Sequence, residues 1–251
     1  MEQLRHRLII PSIYTSDGQT TGTDSRHVRD YTQALELALD YEAQGADEII
    51  FMDVTSIGER RRNLNRFLRD VSKSLKIPFI FGGGVHSTSD VEDLLKAGAQ
   101  RIYVNSAAVR NPELINKISS AHGEKAILVA VDTRRTFGAW KVYLNGGKAR
   151  TEIDLLNWVK MIELRGAGEI LLSTITKGEA DFVTDIVNEV CATTTIPILV
   201  SAGVKSKEDF FNLFNTTPVA GIVSANFFHK NGESVRRVKD FLEKESIGNN
   251  D

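Results

Sequence analysis

Cysteine is almost missing from this chain. The single Cys191 among 251 residues rules out an intrachain disulfide framework and suits a reducing compartment. It lies in the helical stretch Ile186–Cys191, where a buried structural thiol is the ordinary role. Long apolar runs are absent too, so no membrane-spanning helix is expected. Met1–Arg7 is polar and basic and lacks the apolar centre of a secretory leader. Both features point to a soluble, cytoplasmic protein with no membrane partner. Neither sign of charge dominates: 31 basic against 33 acidic residues leave a net charge of −2, which argues against a non-specific nucleic-acid binder. Neither a metal nor a cofactor is expected. What is present is a core: 41% apolar and 25% charged residues over 251 positions suffice for one large α/β domain or two small ones.

The chain is organised around Phe79–Val109. A short apolar run ends in Gly82-Gly83-Gly84, a helical stretch runs from about Thr88 to Ala97, Gly98-Ala99 breaks it, and Ile102–Val104 ends at Asn105-Ser106. Small residues thus follow each strand, where glycine lets backbone amides approach an anion. The same alternation fills the chain. Strands are predicted at Leu8–Ile13, Glu48–Asp53, Pro78–Phe81, Arg101–Val104, Ala126–Val131, Glu169–Ser173, Pro197–Val200 and Val219–Val223. Helices are predicted at Tyr31–Gln44, Gly58–Leu75, from Asn111-Pro112, and at Glu152–Leu164, Ala180–Ala192, Lys205–Phe214 and Glu233–Lys244. Asp17-Gly18 marks a turn, Gln19–Asp30 is polar and expected to be mobile, and Gly248–Asp251 is expected to fray. Trp140–Leu144 alternates like a strand before the turn signal Asn145-Gly146, which predicts a β-hairpin inserted after strand five. Near-continuous apolar strands imply a buried parallel sheet, and eight βα units in this length match a (βα)8 TIM barrel. A doubly wound open sheet is the alternative.

An internal repeat supports the barrel. Gln44–Ile49 returns 121 residues later as Arg165–Ile170, and Ile77–Val85 returns 119 later as Ile196–Val204. The end of strand one at Tyr14 matches Asp132 at an offset of 118. Two half-barrel copies, about 8–123 and 124–245, would form one domain.

Barrel chemistry sits at the carboxyl ends of the strands. There the repeat supplies two related anion sites, Gly82–Gly84 with Asn105 and Ser106, and Ser201–Gly203 with Ala225 and Asn226. They suit a ligand with a phosphate at each end. Tyr14, Asp53, Asp132 and Thr174 stand between them. Asp132 is the catalytic candidate, as general acid or base, and Asp53 is either a second catalytic acid or a structural one. At the amino ends, Glu48, Arg101 and Glu169 each follow a Gly-Ala-X break and are expected to form an ordered charged cluster.

From Leu8 to Leu242 the chain resembles the cyclase subunit of imidazole glycerol phosphate synthase, the HisF family. The motifs that carry the likeness are Phe51–Thr55, Phe81–Val85, Val104–Pro112, Val129–Asp132 and Arg165–Leu172. The resemblance implies a barrel that takes ammonia from a HisH-type glutaminase docked at its floor. It implies cyclisation of a bis-phosphorylated ribulose-type substrate at the mouth. It makes Asp132 one of two catalytic aspartates, Gly83, Gly84, Asn105 and Ser106 one phosphate site, and Gly203 part of the other, where Ala202 and Asn226 replace smaller or hydroxyl-bearing family residues. Glu48, Arg101 and Glu169 become the ammonia gate, with arginine in place of the family's lysine. The second catalytic aspartate falls on Tyr14, and the family's gate arginine of strand one falls on Leu8, beside Arg7. Asp17–Gly22 lacks a substrate-gripping lysine, and Thr176–Asp181 lacks an Asp-Gly-Thr phosphate motif. Three readings follow. One is a cyclase-deficient paralogue that hands ammonia to a separate amidotransferase, as in amidination of surface sugars. The others are an active cyclase of histidine biosynthesis and a non-catalytic activator of a glutaminase.

Overall fold

A computed structural model describes residues 7–15, 27–28, 31–53, 61–175, 183–230 and 233–248. It divides into two compact units, one of Leu8–Ile102 with Val223–Asp251, the other of Tyr103–Ile222 with the first seven residues.

In the first unit, β1 (Leu8–Thr15), β3 (Ile49–Asp53) and β4 (Phe79–Gly82) run parallel, with registers Ser12↔Ile50 and Ile50↔Ile80. Helices α1 (Tyr31–Ala43), α2 (Arg61–Ser74) and α3 (Thr88–Lys96) connect them in the βα order, and α10 (Val235–Gly248) closes the chain. Phe51 meets Phe67 of α2 and Phe79 of β4 edge-on, at 5.2 and 6.0 Å between ring centroids. That contact makes the Ile49–Phe51–Asp53 side of β3 the one that faces the helices. Strand alternation puts Glu48, Ile50 and Met52 on the other side.

Strand β5 (Arg101–Val104) leads from the first unit into the second. There β6 (Ile127–Thr136), β9 (Glu169–Thr174), β10 (Ile198–Ser201) and the start of β11 (Gly221–Ser224), which leads back into the first unit at Val223, are parallel, in registers Leu128↔Glu169, Leu171↔Leu199 and Leu199↔Gly221. Between them come α4 (Ser106–Arg110), α5 (Glu113–His122), α6 (Leu155–Leu164), α7 (Val183–Thr193) and α8 (Lys207–Thr216); α9 (Asn226–Lys230) follows β11. Eight parallel strands, β1, β3, β4, β5, β6, β9, β10 and β11, each followed by a helical segment, make this a (βα)8 barrel fold.

Several local expectations are corrected. The hairpin is larger than predicted. Strand β6 continues to Thr136, turns at Phe137-Gly138, and pairs antiparallel with β7 (Ala139–Leu144), which pairs with β8 (Ala149–Asp154). Glu152–Asp154 is therefore strand, and α6 begins at Leu155 because Asp154 caps it, accepting from the Leu156 and Asn157 amides at 3.1 and 3.3 Å. Helix α5 begins after Pro112, and the Asn111 carbonyl accepts the Leu114 amide at 3.0 Å. Helix α8 starts at Lys207, where Ser206 and Asp209 form a capping box. His27–Val28 is a two-residue strand, β2, beside Tyr14 and Thr15, within the stretch expected to be mobile. The short helices α4 and α9 were not predicted. The Asp17-Gly18 turn, Val54-Thr55, Gly58–Arg60, Thr176–Asp181 and the tail from Asn249 lie outside the described residues.

Candidate functional site

Parallel register sorts the second unit's site residues into layers. Asp132, Ser173 and Ser201 form one row across β6, β9 and β10. Two residues toward the amino ends, Ala130, Leu171 and Leu199 form an apolar row on the same side. Leu128 and Glu169 form the next. Glu169, 6% exposed, thus shares a sheet side with Asp132 at a distance of four strand residues, about 13 Å. Thr174, expected beside Asp132, pairs with Thr133 on the opposite side, and its buried Oγ1 finds no hydrogen-bond partner among the described residues. Ser173 takes its place in the Asp132 row. Alternation through β9 was the signal that could have found it.

Asp132 is 8% exposed, and Oδ2 accepts Asn105 Nδ2 at 3.0 Å. Burial pushes its carboxyl above the usual range, while bonds from Asn105 and the Gly146 amide pull it back. Asn105 Nδ2 also reaches Tyr103 Oη at 3.3 Å, and Asn105 Oδ1 is buried without a hydrogen-bond partner among the described residues. Ser106 opens α4, and its Oγ accepts the Asn145 amide at 2.9 Å. The side chains of Asn105 and Ser106, expected at a phosphate, are thus engaged with Asp132 and with the turn between β7 and β8.

The first unit has the corresponding layers. Tyr14, Met52 and Gly82 form one row, with Ser12, Ile50 and Ile80 below it. Asp53, 6% exposed, has the parity of Phe51 and so the helix-facing side. Gly83 (φ +133°) lies directly on Asp53: an added Cβ would stand 2.0 Å from the Asp53 carbonyl oxygen. Gly84 and Gly203 have matching φ values of 61° and 65°. Gly203 has open space where a Cβ would point, and Asn226 is the exposed first residue of α9.

At the amino ends, Arg101 Nη1 donates to both Glu48 oxygens, at 3.1 and 3.2 Å. The Glu48 side chain is 5% exposed and that of Arg101 23%. Arg7 is held within the second unit. It donates to the Phe214 and Thr217 carbonyls at the end of α8 and lies over the Phe214 ring. The Cys191 thiol is pushed up to about 11, chiefly by burial, which suits a structural role. Among the described residues no group of three or more His, Cys, Asp or Glu is placed to hold a metal ion, and no helix is long and apolar enough to cross a membrane.

A family model described as histidine biosynthesis protein matches residues 8–233. The imidazole glycerol phosphate synthase subunit HisF of Natranaerobius thermophilus is 38% identical over 242 residues, 95% of this chain and 96% of its own length. The chain belongs to the HisF family. Subunits of the same name from Prochlorococcus marinus, 38% identical over 93% of this chain and 94% of theirs, and from Bacteroides fragilis, 35% identical over 93% and 95%, agree along nearly the whole length. Tyr14 lies near the carboxyl end of β1 and Asp132 midway along β6, where the parallel pairing with β9 is about to end; Glu48 directly precedes β3, and Arg101 and Glu169 open β5 and β9.

Proposed function

We propose that this chain is a barrel subunit of the imidazole glycerol phosphate synthase type, cytoplasmic and built as one domain of two half-barrel copies. It receives ammonia from a HisH-type glutaminase docked at the amino ends of its strands. The observation that carries this reading is the Glu48–Arg101 pair, a nearly buried acid whose two oxygens are held by one guanidinium where no mouth chemistry needs it. A pair so desolvated contributes little net stability. A role in passing ammonia accounts for its retention. Above Glu169, the row Ala130–Leu171–Leu199 is apolar, which favours neutral ammonia over ammonium.

At the mouth, the strand-end Tyr14 replaces the acid that an acid–base pair requires, and the reading we favour is a cyclase-deficient paralogue. Its ammonia goes to another amidation, such as that of a surface sugar, by a separate amidotransferase. Gly83, Gly84, Asn105 and Ser106 keep backbone donors for an anion, with Gly203 and Asn226 as a weaker partner site. Asp132 favours the alternative, an active cyclase, because a carboxyl with a raised pKa suits a general acid. Turnover of the bis-phosphorylated ribulose-type substrate with free ammonium separates the two. The paralogue should show no measurable product, since loss of one acid–base group costs about 10²–10⁴-fold. Near-normal turnover would overturn it. Mixing with a HisH-type glutaminase tests the partner: glutamate release should depend on the barrel, and Arg101→Ala should disturb ammonia transfer more than glutamine hydrolysis.

A further inference from the structure

Asn105 stands at the cap position of α4, yet its side chain makes no hydrogen bond to the helix amides. Asparagine is among the best N-cap residues, so an unused cap forgoes stability. Its Oδ1 is buried without a hydrogen-bond partner among the described residues, which is a second cost. Both costs are met at Nδ2. That nitrogen donates to Asp132 Oδ2 at 3.0 Å and to Tyr103 Oη at 3.3 Å. Tyr103 lies two residues before Asn105, so strand alternation puts it on the same side of β5. The last torsion of an asparagine side chain has broad minima. A carboxamide held by one acceptor can pivot, whereas acceptors on two strands, β5 and β6, fix its plane. The titratable and charged groups on the elements around Asp132 in this unit are Tyr103, Arg134 on β6 itself, Lys141 and Tyr143 on β7, and Glu169 four strand residues away on β9. Arg110 of α4 donates to Asn145 instead, and α5 buries Leu114, Ile115 and Ile118.

We propose that Tyr103 is a positioning residue for Asp132 that acts through Asn105: its phenol oxygen holds the carboxamide on the carboxylate and off the start of α4. The donated N–H favours the ionised carboxyl, and Tyr103 sets how fully that bond is made. The catalytic meaning rests on Asp132 being the reacting acid, as read above; the contacts themselves do not depend on it.

The test is carboxyl-detected NMR titration of Asp132 in the full chain and in a cycle of Tyr103→Phe, Asn105→Ala and the double variant. In Tyr103→Phe the Asp132 midpoint should rise by about half a pH unit, a roughly threefold change in proton affinity. In Asn105→Ala it should rise by about one unit, roughly tenfold. The double variant should match Asn105→Ala to within about 0.2 of a unit, because Tyr103 then has no carboxamide to hold. Tyr103→Phe keeps the ring and should remain folded. A fluorinated tyrosine at position 103 keeps the hydroxyl as well but weakens it as an acceptor, and should move the midpoint the same way by less. A midpoint unmoved by both changes at Tyr103 would overturn the proposal, as would a lowered Tm with the midpoint fixed. An equal shift from Tyr103→Phe in the Asn105→Ala background would also overturn it, since the phenol would then act without Asn105. The titration involves neither ammonia nor a glutaminase. The expected shifts alongside failed ammonia transfer would therefore leave the positioning role standing and remove only the functional reading.

Discussion

The two copies of the repeat have the same hydrogen-bonded frame and different mouths. Ser87 with Asp90 and Ser206 with Asp209, 119 residues apart, build the same capping box, with cap φ of −141° in both and ψ of 165° and 167°. The Gly45 amide meets the Glu42 carbonyl as the Gly166 amide meets that of Glu163, each at 2.9 Å. Glu42 Oε1 accepts the Lys76 and Ile77 amides; its counterpart Glu163 Oε1 accepts the Thr195 hydroxyl and amide, which hold its carboxyl below the usual range. Helices α4 and α9 are five residues each and start 120 residues apart. At the strand ends the backbone likeness persists only at Gly84 and Gly203, and the neighbouring residues differ. Gly83 against Asp53 corresponds to Ala202 and Thr174, and Tyr14 to Asp132. Backbone closure tolerates only a few residue types and so kept both copies alike. Strand-end side chains carry no such backbone constraint and differ between the copies.

The strongest test of that contrast is Gly83→Ala. Its methyl would meet the Asp53 carbonyl at 2.0 Å with φ at +133°, and the loss should be roughly 3 kcal/mol or more. Ala202→Gly in the other copy should cost less than about 1 kcal/mol. Denaturant unfolding of both measures the asymmetry, and equal losses would break it. Sharing of the frame is tested next by Ser87→Ala and Ser206→Ala, each expected to cost about 1 kcal/mol through its cap. A difference well beyond that would show that the boxes bear unequal weight.

The ribbon after β6 belongs to the second copy alone among the described residues. Its Phe137 is 95% exposed in a left-handed turn (φ 51°) before Gly138, where Asn is the usual first residue. Phe137→Asn should raise stability by about 0.5 kcal/mol even though it removes the Arg150 stack, read as a small rise in Tm. The subtlest test is the pH dependence of Asp132→Asn. Burial raises the folded carboxyl's pKa, so its contribution is fully favourable below the ordinary carboxylate pKa and is lost as pH rises through the folded value. The variant should therefore melt higher than the parent at neutral pH, and the gain should fade in acid.

Much of this molecule is written in local pattern. The eight alternations, the repeat at offsets near 120, the Gly breaks before Glu48, Arg101 and Glu169, and the Asn145-Gly146 turn are legible because strand runs, helix caps and left-handed turns depend on neighbours in sequence. Those residues by themselves determined the barrel fold and the family resemblance. Tertiary structure alone decided which side chains meet. Strand parity chose Ser173 over Thr174 for the Asp132 row, and helix α8 drew Arg7 to its end. The fold also brought Arg110, 35 residues from Asn145 in sequence, onto the turn between β7 and β8. Such contacts depend on the registers of strands distant in the chain, and a one-residue shift in register would exchange the faces of every side chain involved.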